Sequence, residues 1–371
     1  MMKESPYTLF VDSREFWCNL REEILKAKES VYCQMLTFEG DNAGFSLAEA
    51  LMESRARDRR LLIDAFSLHM INDRLLGAPQ NLFRSDLREE KRRALDLFSR
   101  LKRSGAQVKI TSPYGFLFRK ILLRNHKKVY LVDGKSLYLG GINFSDHNFH
   151  WHDLMVRVDD SESARFLEKD FRASWRGNDL GETGEFLQGE LKIHLFDGRR
   201  NEELFAPLLE KLSRARKSIR VHSPYLSFPF IDSIAEAAKR GAEVSILTPE
   251  GNNHPDVLEQ ILAVAQEGKM KVRLLPGGMS HLKALVVDDE ELWLGSSNFD
   301  YFCYTLQQEV LARFKDPQIL DIFMRRVWNL DWERSQPTAP LDGATLSRGK
   351  NKTHLMKLLG KVAVQFSRLQ R

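Results

Sequence analysis

The sequence predicts an α/β protein built as two similar domains followed by a C-terminal amphipathic helix. Three observations lead there. Strand-like and helix-like patterns alternate along the chain. The alternation recurs in a second half. The composition then changes abruptly near the C-terminal end. The 371 residues leave room for two domains of ordinary size, each with its own core. A hydrophobic fraction of 43% and a charged fraction of 29% exclude disorder, collagen and coiled coil. No apolar run approaches the roughly 20 residues of a membrane span, and residues 1–13 lack the apolar segment of a signal peptide. Cys18, Cys33 and Cys303 form neither a disulfide framework nor a zinc pattern. A reducing cytoplasm is expected, with no cofactor and no metal.

In order along the chain, Ala27-Lys28-Glu29-Ser30-Val31 leads a β-rich run, residues 32–38, and Ala215-Arg216-Lys217-Ser218-Ile219 leads another, residues 220–228. Ser46-Leu47-Ala48-Glu49-Ala50 recurs as Ser233-Ile234-Ala235-Glu236-Ala237, so each stretch reads as helix, strand, helix. Strands at residues 61–63 and 244–247 follow, then strands at 108–110 and 272–274. The first half carries extra sequence, residues 69–100, read as an inserted helix. Residues 178–189, NDLGETGEFLQG, have the glycine and acid content of a linker, and Pro337, Pro340 and Gly343 mark a second boundary. The expected domains are therefore 1–185, 186–340 and 341–371.

Charge separates the last segment from the rest. The formal net charge is +5. From Gly343 onward there are seven bases and no acid, which leaves the body at −2. A body of that sign argues against a nucleic-acid partner. In the tail, Leu355, Leu358, Leu359, Val362, Phe366 and Leu369 recur at helical spacing, and Lys357, Lys361 and Arg368 lie off that stripe. A basic amphipathic helix of this kind fits an anionic membrane surface. The plainer alternative is a helix docked on the body with its bases in water. A second apolar and basic stretch, YGFLFRKILLR at residues 114–124, reads as a loop at the mouth of a site or a short buried element.

The strongest signal is a pattern that occurs twice. The first copy is His126-Lys127-Lys128, then Asp133, then Gly140-Gly141-Ile142-Asn143. The second is His281-Leu282-Lys283, then Asp288, then Gly295-Ser296-Ser297-Asn298. Every equivalent position is displaced by 155 residues. Within HKKVYLVD and HLKALVVD, alternation puts the His and Lys on one face of a strand. A turn and a second strand follow, ending in small residues that let backbone approach a ligand. One His, one Lys and one Asn per half form an imidazole plus an anion clamp. Two halves facing each other supply two of each around one phosphate. That set suits phosphoryl transfer by covalent catalysis: one imidazole attacks phosphorus and the other protonates the leaving alkoxide. Lysines and amides stabilise the non-bridging oxygens, and the scheme needs no metal.

The duplicated motif resembles the signature of the phospholipase D superfamily, H-x-K-x4-D-x6-G-[GS]-x-N, at every position. TFEGDNAG (residues 37–44), RNHKK, HSPYL (residues 222–226) and GSSNFD (residues 295–300) resemble segments of its cardiolipin synthase-like branch. The resemblance implies two phospholipase D-like domains, each a mixed β-sheet flanked by helices, packed as a pseudo-twofold pair. It implies that His126 becomes the phosphohistidine and that His281 is the general acid and then the base. Asp153 in WHDLMVRV and Glu309 in LQQEV match the acids that orient the opposite imidazole. Asp133 and Asp288 are expected to be structural, with Gly140, Gly141, Gly295 and Ser296 as motif residues of the strand ends. The implied activity is that of a phosphatidyltransferase acting on a phospholipid such as phosphatidylglycerol, peripheral on the inner face of the cell membrane. One chain would carry both half-sites, so a monomer would suffice.

Two departures stand out. Where the branch often reads D-x-R-S and then N-x-E, this chain has Phe302, Cys303 and Gln307, which bears on the acceptor alcohol. The rival readings are a phospholipase D hydrolase, a nuclease or other phosphodiesterase of the same superfamily, and a noncatalytic membrane scaffold. A metal at His147, His150 and His152 is disfavoured because H-x2-H-x-H matches no zinc motif; a pocket-lining loop is expected there instead. Cys303 is not expected as a nucleophile.

Overall fold

The computed structural model describes residues 5–115 and 120–368. The chain divides into two compact units, Met1–Leu180 and Gly181–Arg371.

The N-terminal unit contains β1 (Tyr7–Val11), α1 (Asp12–Lys26), β2 (Ser30–Met35), α2 (Asn42–Glu53), β3 (Asp58–Asp64), β4 (Met70–Ile71), β5 (Arg74–Leu75), α3 (Ser85–Arg103), β6 (Gln107–Thr111), β7 (Val129–Val132), β8 (Ser136–Gly140), α4 (Asp146–Phe149), β9 (Leu154–Asp159) and α5 (Ser161–Arg176). Its seven-stranded sheet runs β1-β9-β8-β7-β2-β3-β6. The β2–β3 and β3–β6 pairs are parallel and the others antiparallel, which makes the sheet mixed. Strands β7 and β8 are buried along their whole length, as expected of central strands covered on both faces. The apolar face of α1 brings Phe16 against Tyr130, Tyr138 and Phe144, with ring centroids 5.2–6.2 Å apart.

The C-terminal unit contains β10 (Glu182–Phe186), β11 (Leu191–Asp197), α6 (Asn201–Ser213), β12 (Ser218–His222), α7 (Phe230–Lys239), β13 (Glu243–Pro249), α8 (Pro255–Glu267), β14 (Lys271–Leu275), β15 (Ala284–Val287), β16 (Glu291–Gly295), α9 (Tyr301–Thr305), β17 (Gln308–Phe314), α10 (Pro317–Phe323), α11 (Asn329–Arg334), β18 (Gln336–Pro337) and α12 (Gly343–Arg368). Its sheet runs β10-β11-β17-β16-β15-β12-β13-β14-β18. Without the edge strands β10 and β18, this is the order and direction of the first sheet, strand for strand. Phe205 takes the place of Phe16, stacked on Phe196 and edge-on to Phe230.

Several sequence expectations change. Residues 178–189 are not a linker: β10 pairs antiparallel with β11, because Gly and Glu residues are tolerated on an exposed edge strand. The boundary falls before Gly181 instead of at 185. The extra sequence of the first half is only partly helical. Residues 70–75 form the β4–β5 hairpin, and α3 is the counterpart of α8, each lying between two parallel strands. The true addition is the stretch between β3 and α3. His126 and Lys128 precede β7, in extended chain just ahead of the ladder.

The tail is helical, but its docked face is the small one. Gly349, Thr353, Gly360, Val364 and Ser367 are buried, at spacings of four, seven, four and three. A side chain at Gly349 would meet Ala263 Cβ at 2.8 Å, and one at Gly360 would meet Tyr301 Cδ1 at 3.0 Å. Lys352 bonds Asp256 and Glu259 at 2.7 Å, and Lys357 bonds Asp232 at 2.6 Å. Leu355, Leu358, Leu359, Val362 and Phe366 are left outside, each more than half exposed. Leu369 lies outside the described residues, as do residues 116–119 of the YGFLFRKILLR stretch. Among the described residues no helix is long and apolar enough to cross a membrane.

Candidate active site

Each unit builds the same cluster at the same place in its sheet.

In the N-terminal unit, His126, Lys128, Asn143 and Asp153 are all buried. The segment before His126 is pinned to the end of β3. Asp64 accepts from Arg124 Nη1 at 2.8 Å and from the Asn125 backbone N–H at 2.6 Å. Burial pushes its carboxyl up to about 6, partly offset by Arg124. Asn125 Oδ1 accepts from Gln34 Nε2 at 2.9 Å. The chain then alternates, as an extended segment must. Lys127 points away and is held between both carboxylate oxygens of buried Asp170, each at 2.7 Å. Lys128 returns to the side of His126 and donates to the His126 carbonyl at 2.7 Å. Asn143 Oδ1 accepts from the Thr37 backbone N–H at 3.1 Å, which fixes its amide rotamer.

Gly140 and Gly141 are required by close approach. A side chain at Gly140 would sit 2.3 Å from the Leu154 carbonyl, and one at Gly141 would sit 2.2 Å from Asp153 Oδ1. The bare backbone of Gly141 therefore makes the seat for the Asp153 carboxylate, which also accepts from the Leu154 N–H at 2.8 Å.

In the C-terminal unit, His281, Lys283, Asn298 and Glu309 are buried in turn. Lys283 donates to the His281 carbonyl, as Lys128 does to that of His126. Gly295 lies 2.2 Å, by its missing side chain, from the Val310 carbonyl. Ser296 stands where the first half has Gly141, and its hydroxyl donates to Glu309. Register makes Asp153 and Glu309 equivalent, since Gly140 faces Met155 and Gly295 faces Leu311. Each acid lies two residues before that partner. Asp133 and Asp288 do the same work on the far side. Both sit at positive φ, 52° and 55°, and accept backbone N–H groups from Lys28, Glu29 and Ser30, or from Arg216, Lys217 and Ser218. They tie the hairpin to the chain entering β2 or β12, away from the imidazoles.

The remaining candidates scatter. His147 lies 3.4 Å from Glu39 and 3.6 Å from Asp73; burial opposes its charge, but these carboxylates outweigh it and push it up to about 10. His150 bonds the Asp146 carbonyl and His152 bonds Asp12, so the three imidazoles go to three different partners. Cys303 donates to Glu309 at 2.8 Å, and burial keeps its thiol well above its ordinary range. It is a poor nucleophile by that measure.

Sequence reasoning assigned no role to Gln34 or His222. Fully buried His222 pairs through Nε2 with Ser280 Oγ at 2.9 Å and faces Asp331 at 3.6 Å. Ser280 precedes His281 as Asn125 precedes His126, so Gln34–Asn125 and His222–Ser280 are equivalent braces beside the two clusters. The signal was the repeat itself, since Ser30 and Ser218 align β2 with β12 and hence Gln34 with His222.

A family model described as cardiolipin synthase, phospholipase D-like domain matches residues 20–175 and 208–332. The chain belongs to this family. Cardiolipin synthase 2 of Staphylococcus epidermidis is 26% identical over 338 residues, covering 84% of this chain and 65% of that protein. A cardiolipin synthase of Staphylococcus aureus is 30% identical over 220 residues, 53% of this chain and 44% of that one. The chain thus spans just under two thirds of the first of these relatives. The phosphatidylserine synthase of Haemophilus influenzae has the same fold, with a TM-score of 0.67 at 16% identity, over 98% of this chain and 94% of that one.

Proposed function

We propose that the protein is a phosphatidyltransferase of cardiolipin synthase type that works through a phosphohistidine. The observation that supports this reading best is the buried His, Lys and Asn set that both units build at equivalent positions. In this reading the two sets act on one phosphorus. An imidazole nitrogen of His126 attacks the phosphorus of a phospholipid diester, and the bond to the head-group alcohol breaks. His281 gives that departing oxygen its proton. The oxygen of a second alcohol then attacks the phosphohistidine, His281 removes its proton, and His126 is released. Lys128, Lys283, Asn143 and Asn298 hold the non-bridging oxygens as charge builds there. Asp153 and Glu309 act as positioning residues, each fixing the tautomer of the imidazole from the other half. Both sets lie on one chain, so a monomer suffices.

The donor is an anionic phospholipid such as phosphatidylglycerol, met at the inner face of the cell membrane. The outward stripe of α12, with exposed Lys361 beside it, supports peripheral contact with such a surface.

The test is product analysis on phosphatidylglycerol vesicles with glycerol or ethanol present, comparing wild type with His126→Ala and His281→Ala. The expected result is new transphosphatidylated lipid or cardiolipin in the wild type and in neither variant. Phosphatidic acid alone would make the protein a hydrolase. Cleavage of single-stranded DNA or bis(p-nitrophenyl) phosphate with no lipid turnover would make it a phosphodiesterase and overturn the lipid reading.

A further inference from the structure

Beside the second half-site lies a cavity of about 460 Å³, within the size range of small-molecule sites. One end is made by the signature residue Asn298 and by Tyr225, whose ring meets that of His281 edge-on at 6.1 Å. The walls are mainly aromatic: Phe228 stacks on Tyr301 at 4.3 Å, Phe302 adjoins them, and Ser227, His254 and Asp300 join the lining. The remaining side is α12, through the small residues Gly360 and Ala363 and through Met356 and Leu359. A second cavity of about 420 Å³ shares Leu359, Met356, Val257 and His254 with the first and reaches Leu355. Leu355 and Leu359 belong to the exposed stripe, so a largely apolar groove runs from Asn298 out to the face that α12 leaves uncovered, with the Lys352–Asp256 ion pair at its outer end.

We propose that this groove holds an acyl chain of the lipid whose phosphate is bound at Asn298 and His281. The proposal rests on the phospholipid reading above and adds where the chain goes. Three features commit the groove to that occupant. It is continuous with the signature residues, so a ligand there is tethered to the phosphate. Its lining is mostly apolar, with Phe228, Val257, Tyr301, Phe302, Met356 and Leu359 outweighing Asp300 and His254. Its outer end opens on an apolar stripe, so a chain can pass in laterally without crossing water. The close approach of Gly349 and Gly360 to the body holds α12 as a fixed wall.

The experiment measures binding of alkyl phosphate monomers, kept below their micelle concentration, to the full chain by calorimetry as the alkyl length increases. The expected affinity rises about fourfold per added methylene until the groove is filled. Ala363→Trp, which fills the groove from α12, should flatten the series, and so should Phe302→Trp, which fills it from the opposite wall without touching the helix. Leu358→Glu and Val362→Glu, on the stripe but outside the lining, should leave the series intact. No dependence on chain length in the wild type would overturn the proposal. So would an unchanged series in both tryptophan variants, or its loss in the stripe variants alone. Turnover of phosphatidylglycerol by the wild type, measured in parallel, tests the reaction independently of the groove.

Discussion

The two units solve one problem with different chemistry underneath. In the signature residues they agree closely: His then Lys bonded back to the His carbonyl, an Asn after the second strand, and an acid at the start of the next. In what supports those residues they diverge. The N-terminal unit seats its acid on bare Gly141, and the C-terminal unit bonds a longer acid to Ser296. The N-terminal unit buries a charged pair, Lys127 with Asp170, where the C-terminal unit has Leu282, also buried. The brace in one half is an amide pair, Gln34–Asn125, and in the other His222–Ser280. What the halves keep alike is the set that would meet a phosphate; what they vary is support. The difference separates the residues that the chemistry needs from those that merely hold them.

That comparison can be broken most forcefully at the imidazoles. His126→Ala and His281→Ala should each lower turnover at least about a thousandfold, and the double variant should be no worse than either single one, because the two act as a unit. Additive losses in a kinetic assay would mean that the halves work separately.

The buried support comes next. Lys127→Met leaves the Asp170 carboxylate buried without its partner and should cost about 3–5 kcal/mol of stability in urea unfolding. Lys127→Met combined with Asp170→Leu should recover most of that loss. An equally large loss in the double variant would show that the pair itself, and not the stranded charge, carries the stability.

Closer to the site, Gly141→Ala and Ser296→Ala should have unequal effects. The first forces the Asp153 carboxylate to move, since the new Cβ would lie 2.2 Å from it. The second removes one hydrogen bond to a buried carboxylate, a loss of about 1–3 kcal/mol. Gly141→Ala should therefore lower kcat more, by about tenfold or more against the Ser296→Ala value. Equal effects would place the acids outside the positioning role.

The smallest effect is one of pH, and it belongs to the N-terminal unit. Glu90 is pushed up to about 7, by burial first and then by the neighbouring Glu39 carboxylate. A carboxyl raised above its ordinary value favours the folded state while it stays protonated. Its contribution is full below about 4.5 and is lost as pH rises through about 7. Glu90→Gln should abolish that loss and raise Tm by a few degrees at pH 8, with little change at pH 4. A variant less stable than wild type at pH 8 would contradict the assignment.

The signature hairpins were legible in the sequence because β7–β8 and β15–β16 have identical lengths and turns, which keeps every motif residue at a displacement of 155. The outer strands were harder. β2 and β12 are displaced by 188 residues, and β6 and β14 by 164, because the intervening loops differ in length and blur the repeat. The hairpin of residues 70–75 and edge strand β10 lack a strong apolar alternation, so from sequence one reads as helix and the other as linker. In the tail, periodicity revealed the stripe but not which face docks. Leucines mark the wetter side here because only Gly349 and Gly360 let the helix approach Ala263 and Tyr301 so closely. The braces at Gln34 and His222 escaped because a hydrogen bond between distant strands leaves no local pattern.

The most direct measurement is rapid quenching of the reaction on phosphatidylglycerol, followed by peptide mapping under conditions that preserve phosphohistidine. The account predicts a phosphatidyl adduct on the peptide carrying His126, absent from His126→Ala and absent from the peptide carrying His281. Lipid turnover with no adduct on His126, or with an adduct on His281 instead, would contradict it.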